Sequence, residues 1–280
     1  MSAAAIATMN VETNLGVLMS TADQSLSACP GRLKDRIAVV TAAAGGIGGA
    51  TALRLARDGA KAVVAIDTSP NVKQMEESIR AAGSEGLGIQ LDCTNEEDVA
   101  AAFADILQRF GRIDVLVNGV GGGGGGKNRE FVDSASEMWR RVVDVTLLST
   151  MICSRQVVNG MRDRGYGKIL NIASSIALVP TPKMVEYASA KAGVIGFTRS
   201  LALELAPFGV TVNAVSPGPI KTAATDSLPP AVLAKSVDAV PMGHIGIPSD
   251  IANAVAFLVS DEAGNITGQN LAINGGRAFN

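Results

Sequence analysis

Residues that build metal or disulfide sites are scarce in this chain of 280 residues, with three cysteines and one histidine. Cys29, Cys93 and Cys153 form neither a CxxC pair nor a ladder of paired cysteines, and His244 stands alone. A thiolate–imidazole zinc centre has too few ligands, and no metal is expected. So little cysteine fits a reducing compartment, and the expected location is cytoplasmic. No apolar run reaches the roughly 18 residues of a membrane span. A net charge of −2 argues against nucleic acid or an anionic membrane as the main partner. The first 30 residues hold no Lys or Arg, so they match neither a secretory signal nor an arginine-rich transit peptide. Residues 1–32 read as an N-terminal arm, lying on the surface or against a partner subunit.

What is present suits one large domain over 33–280. Hydrophobic residues make up 47% and charged residues 18%, enough for a sizeable core. From residue 36 the chain alternates. The strand candidates are 36–41, 61–67, 86–92, 114–120, 167–174, 209–218 and 270–276, and helical patterns begin near 46, 71, 95, 135, 184 and 248. Continuous apolar strands are buried on both faces, and alternating strand and helix implies right-handed crossovers. The expected fold is α/β, a doubly wound Rossmann-like parallel sheet of about seven strands with helices on both faces. In such sheets ligands sit beyond the carboxyl ends of the strands, so the loops there are the places to search.

After the first strand comes TAAAGGIGGA, Thr41 to Ala50. Gly46, Ile47 and Gly48 open a helix straight from a strand, where backbone amides can approach a pyrophosphate. The second strand ends at Asp67, about 20 residues later, where a carboxylate accepts from ribose hydroxyls and repels a 2′-phosphate. No Lys or Arg lies within Ala42–Gly45 or directly after Asp67, so NAD(H) is expected over NADP(H). The plainer alternative is that Asp67 only starts a turn or caps a helix.

Downstream lies YASAK, Tyr187 to Lys191. Residues i and i+4 share a helix face, and an ammonium beside a phenol favours phenolate, drawing it from near 10 toward working pH. Ser174 precedes Tyr187 by 13 residues at the end of the fifth strand, where its hydroxyl can bond a substrate oxygen.

With these motifs in order, the chain resembles the short-chain dehydrogenase/reductases, from about Arg36 to Gly276. The resemblance rests on TAAAGGIG, Asp67, LDCT, VNGVG, Ser174/Tyr187/Lys191, SPGPIKT and the segment from GHIGIPSD to the final INGG. It implies that Tyr187 is the general acid/base, that Lys191 lowers its pKa and holds the nicotinamide ribose, and that Ser174 polarises the carbonyl or alcohol. It further implies that Asp92 and the Cys93 backbone hold the adenine, and that Asn118 and Gly119 begin a cofactor-side loop. Pro217, Gly218, Ile220 and Thr222 would line nicotinamide and pyrophosphate. Residues 222–243 would form a substrate lid, and the long helices near 135–163 and 184–206 with the last strand would build a homotetramer.

Two positions depart from the family pattern. Ala42 stands where glycine is usual, and the turn is expected to form if that residue keeps a negative φ. Thr146 stands where an Asn completes a catalytic tetrad, and its backbone carbonyl is expected to hold the relay water instead. Gly121 to Gly126 follow the fourth strand with no helix behind them, so a phosphate cradle fails there. A linker fails too, because the fifth strand must still pair. The run reads as a loop beside the nicotinamide that admits a bulky substrate, or as a surface insertion. Lys127, Asn128 and Arg129 after it either meet an anionic substrate group or are solvated. The function read from all this is interconversion of a secondary alcohol and a ketone; the apolar residues of the lid suggest a hydrophobic substrate, and plain packing explains them equally well. A 3-oxoacyl-carrier-protein reductase is the enzyme alternative, and a catalytically impaired nucleotide-binding scaffold is the non-enzyme one.

Overall fold

The computed structural model describes residues 29–122 and 129–279, so the arm as far as residue 28 and most of the glycine run lie outside the described residues. Among the described residues the strands are β1 (Ile37–Thr41), β2 (Ala62–Asp67), β3 (Glu85–Gln90), β4 (Val115–Asn118), β5 (Gly167–Ile172), β6 (Val210–Pro217) and β7 (Asn270–Ile273). They form one parallel sheet in the order β3-β2-β1-β4-β5-β6-β7. The order reverses between β1 and β4, which opens a crevice at their carboxyl ends.

The register explains why these strands read as unbroken apolar runs. Val39 sits beside Val64 on one side and Leu116 on the other. Successive side chains leave opposite faces, and both faces are covered. Ala38, Val40, Val63 and Ala65 pack with Leu55, Ile251 and Val255 on one side. Val39, Val64 and Ile66 pack with Phe103, Ile106 and Met161 on the other.

The helices that matter for the site are α1 (Gly46–Arg57), α2 (Val72–Ala81), α3 (Glu96–Phe110), α4 (Ser136–Val143), α5 (Ser149–Arg164) and α6 (Val185–Leu205). Beyond β6 come α7 (Ala223–Asp226), α8 (Pro230–Asp238) and α9 (Pro248–Leu258). Helix α3 begins at Asn95, whose side chain accepts from the Glu97 and Asp98 amides, and three acids fill its first turn. Helix α1 is the opposite case: its N-cap is Gly45, no side chain caps it and no acid lies in its first turn. Its leading amides are left for an outside acceptor.

One element differs from the sequence reading. The long helix expected from 135 to 163 is interrupted by a π-helical turn, Asp144–Leu148, between α4 and α5. Thr146 sits in its middle and is fully buried. A π-turn inserts one residue into the helical ladder without changing its apolar pattern, so periodicity does not reveal it.

Candidate active site

The turn after β1 is held by backbone contacts. Thr41 Oγ1 accepts from the Gly119 amide at 2.9 Å, tying the ends of β1 and β4. A side chain at Gly119 would come within 2.5 Å of the Thr41 carbonyl oxygen, and one at Gly48 would run into the Ala42 carbonyl. Ala42 has φ +55, in the left-handed region. The condition of a negative φ is not met, and the turn forms all the same. The chain must turn there to leave β1 and enter α1, and alanine takes the strained conformation at a cost of roughly 1–2 kcal/mol. Asp67 closes the same turn: Oδ2 accepts from the Ala44 amide at 2.9 Å and Oδ1 from the Ser69 amide at 2.9 Å. Asp67 thus starts a turn, and its remaining lone pairs are still available to a ribose.

Thr222 lies opposite this turn. Its Cγ2 is 3.6 Å from where a Gly46 side chain would begin, so the β6 loop reaches back over α1. Pro217 ends β6, Gly218 donates to the Ile273 carbonyl at 2.9 Å, and Ile220 is buried. Asp92 lies at the far end, exposed, accepting from the Thr94 amide and hydroxyl at 2.9 and 2.8 Å. The Cys93 side chain is buried in the core, so only its backbone can face a ligand.

Asn118 ends β4 at the start of the loop, with its side chain turned into the fold. Its amide nitrogen donates to Ser154 Oγ at 3.0 Å and to Asn171 Oδ1 at 2.9 Å, inside the protein. The side chain ties β4 to β5 and α5, because a buried amide must find partners there.

At the carboxyl end of β5, three side chains converge. Ser174 caps a short 3₁₀ turn, and its hydroxyl makes a hydrogen bond that favours the Tyr187 phenolate. Lys191 is buried, donates to the Ile172 carbonyl at 2.5 Å and lies 6.0 Å from the Tyr187 ring centre. Gly121 covers the lysine: a side chain there would meet Lys191 Nζ at 2.7 Å and Thr146 Cγ2 at 3.6 Å. The Gly122 amide donates to Thr146 Oγ1 at 3.4 Å, and the Thr146 carbonyl accepts from Thr150 Oγ1 at 3.1 Å. The first glycines of the run therefore seal the floor beside Lys191. That role was not legible in the sequence, since nothing local says which side chain lies beneath them.

A family model described as Enoyl-(Acyl carrier protein) reductase matches residues 41–278, the stretch that holds all of this geometry. The chain belongs to the short-chain dehydrogenase/reductase family. It is 39% identical over 251 residues to the short-chain reductase protein NovJ of Streptomyces niveus, covering 87% of this chain and 94% of that protein. It is 39% identical over 244 residues to the 3-oxoacyl-acyl-carrier-protein reductase FabG of Vibrio cholerae, covering 87% and 98%. Over 242 residues it is 38% identical to the cis-4-hydroxycyclohexanecarboxylate dehydrogenase of Sinomonas cyclohexanicum, covering 86% and 96%. This short-chain dehydrogenase/reductase is an oxidoreductase acting on a CH–OH or ketone group, and the family uses a nicotinamide cofactor. Among the described residues no helix is long and apolar enough to cross a membrane, and no cluster of ligands could hold a metal.

The electrostatics of the dehydrogenase site differ from expectation. Burial lifts the Tyr187 phenol above its ordinary value, and the Ser174 hydrogen bond only partly opposes this. Burial lowers the Lys191 ammonium to about 8. The ammonium is turned toward the Ile172 carbonyl, so the protein alone does not draw the phenol down toward working pH as the i, i+4 spacing suggested.

Proposed function

We propose that this protein is an NAD(H)-dependent dehydrogenase that interconverts a secondary alcohol and a ketone, with Tyr187 as general acid/base. The convergence of Ser174, Tyr187 and Lys191 at the end of β5 carries the reading. In alcohol oxidation the Tyr187 phenolate takes the hydroxyl proton as the carbinol hydrogen departs as hydride, leaving the ketone. Reduction runs the same proton back. Ser174 donates to the substrate oxygen and orients it. Lys191 steadies the phenolate by its charge. When bound, the nicotinamide supplies the hydride acceptor or donor and, oxidised, a positive charge that favours phenolate.

The residues fit that cofactor. The uncapped N-terminus of α1 suits a pyrophosphate, and no side-chain contact crowds the space a Cβ would take at Gly45. Gly46, Ile47 and Gly48 would present the amides, with Thr222, Ile220, Gly218 and Pro217 facing them. Asp67 would bind the adenosine ribose and favour NAD(H) over NADP(H), and Asp92 with the Cys93 backbone would hold the adenine. Asn118 and Gly119 would support this site through the strand ends. Thr146 acts as a positioning residue, holding Gly122 by its hydroxyl. Thr146→Asn is expected to leave kcat within about tenfold, because one typical hydrogen bond is worth about 1 kcal/mol.

Residues 33–280 form the dehydrogenase domain, with 222–243 as a substrate lid. Within α8 no residue is buried, which suits a segment that closes over a ligand. The protein is read as a cytoplasmic homotetramer. Leu148, Met151, Leu203 and Leu271 are exposed on the π-turn, α5, α6 and β7, where the subunits would meet. Light scattering in solution tests the assembly. The likeness to FabG supports a second reading, reduction of a 3-oxoacyl thioester. Asp67 opposes the 2′-phosphate such a reductase would need if it used NADPH.

NAD⁺ reduction by the purified protein across aliphatic, alicyclic, aromatic and steroid secondary alcohols tests the first reading, with NADP⁺ and Tyr187→Phe alongside. Turnover with NAD⁺ that falls at least about a hundredfold in Tyr187→Phe is expected. Equal turnover in the variant, or none with any alcohol while NAD⁺ binds, sinks it and favours the impaired scaffold or the reductase.

A further inference from the structure

The segment after β7, Asn274 to Phe279, belongs to no strand or helix, yet it touches three parts of the substrate side. Asn274 builds it into a turn. Its side chain donates to the Ala278 carbonyl at 3.0 Å and accepts from the Gly276 amide at 3.1 Å. A side chain at Gly218 would meet Asn274 Cα at 2.9 Å, so the turn abuts the loop after β6. Gly275 and Gly276, with φ +63 and +86, pack where side chains would strike Val240 and crowd Pro241, past the end of α8. The turn thereby carries Arg277 to the loop between Ser174 and Tyr187, where its Nη2 donates to Thr181 Oγ1 at 3.2 Å.

Arg277 is partly buried, and among the described residues no carboxylate pairs with it. The contrast is Lys183 on the same loop, which is paired with Glu130 at 3.0 Å. A guanidinium has five donors in a planar fork, and a single hydroxyl leaves most of them free. A partly buried guanidinium with spare donors and no paired carboxylate suits an arriving anion.

We propose that Arg277 is a specificity-determining residue that takes the carboxylate of the substrate, so that the substrate is a hydroxy or oxo acid rather than a simple alcohol. The fork binds the carboxylate bidentately, and the Thr181 hydroxyl holds the guanidinium at the loop that joins Ser174 to Tyr187. This rests on the reading of the site given above, and it names the substrate class for it.

The test compares each acid with its own ester. Initial rates with 4-oxocyclohexanecarboxylate and NADH, set against its methyl ester, should favour the acid by about 10- to 100-fold in kcat/KM, the range of a charge-assisted hydrogen-bond pair. Arg277→Met should bring the ratio near unity, and Arg277→Lys should restore part of it. Thermal melting and NADH titration of each variant show whether it is folded. A second arm needs no turnover: calorimetric titration of cyclohexanecarboxylate into the NADH-loaded protein, wild type and Arg277→Met. Binding that weakens at least tenfold in the variant, about the lower end of that range, supports the assignment even if no alcohol or ketone is turned over. Acid and ester used equally well by the wild type, together with carboxylate binding indifferent to residue 277, overturns it.

Discussion

Two glycine-rich loops flank the crevice, and they need glycine for different reasons. After β1, the neighbour is backbone. A side chain at Gly48 would enter the Ala42 carbonyl, and Gly119, at the start of the loop after β4, is pressed against this same turn through the Thr41 carbonyl. After β4, the nearest neighbour of Gly121 is the end of a long side chain, Lys191 Nζ at 2.7 Å. Backbone held by a sheet and a helix cannot yield, whereas a side-chain terminus can swing away. The first loop is therefore a matter of folding, and the second a matter of where an ammonium points.

Substitutions in the two loops should separate these effects. Gly48→Ala is expected to be the most damaging, destabilising by roughly 3 kcal/mol in urea denaturation because overpacking falls on fixed backbone. It should weaken NADH binding as well. A loss under about 0.5 kcal/mol, within the range of an ordinary surface change, erases the contrast.

Lys191 is next. Its folded pKa of about 8 lies below the ordinary 10.5 of the free side chain. Below pH 8 both folded and unfolded chains hold the proton, so the full burial cost is present. Between 8 and 10.5 the unfolded chain holds a proton that the folded one has lost, so stability from this group rises with pH. Lys191→Met should thus be stabilised over wild type by about 3 kcal/mol near neutrality, and the gain should shrink as pH climbs through that window. Melting curves across pH report it, and a gain that grows with pH contradicts the assignment.

Gly121→Ala should cost only about 1 kcal/mol, since Lys191 can move aside. Its kcat should nevertheless fall roughly ten- to a hundredfold, because a displaced ammonium no longer serves Tyr187. If stability suffers more than kcat, the two loops are alike after all. The smallest effect is expected from Ala42→Gly. Relief of the left-handed strain at φ +55 is partly offset by the freer unfolded chain, leaving a gain of about 0.5 kcal/mol in denaturation midpoint experiments.

Much of the site was readable along the chain because its parts are local. The turn from Thr41 to Gly48 and the spacing from Tyr187 to Lys191 each lie within one element, and each carries its meaning in neighbouring residues. Asp67 was legible through its distance from the turn. The contacts that cross elements were not. The Asn118 amide, which the family resemblance places only at the start of a cofactor-side loop, binds Ser154 and Asn171, partners 36 and 53 residues away. The i, i+4 rule put Lys191 on the face of Tyr187 but could not show that the ammonium turns to the Ile172 carbonyl.

By itself, then, the order of apolar runs and helical patterns determined a parallel α/β sheet and which residues lie at the carboxyl ends of its strands. Those follow from period and spacing, which are properties of short segments. Only the tertiary structure decided the left-handed Ala42, the π-turn around Thr146, the glycine floor over Lys191 and the approach of Arg277 to Thr181. Each of these depends on which backbone or side chain a distant segment delivers within a few ångströms, and packing rather than local preference makes that choice.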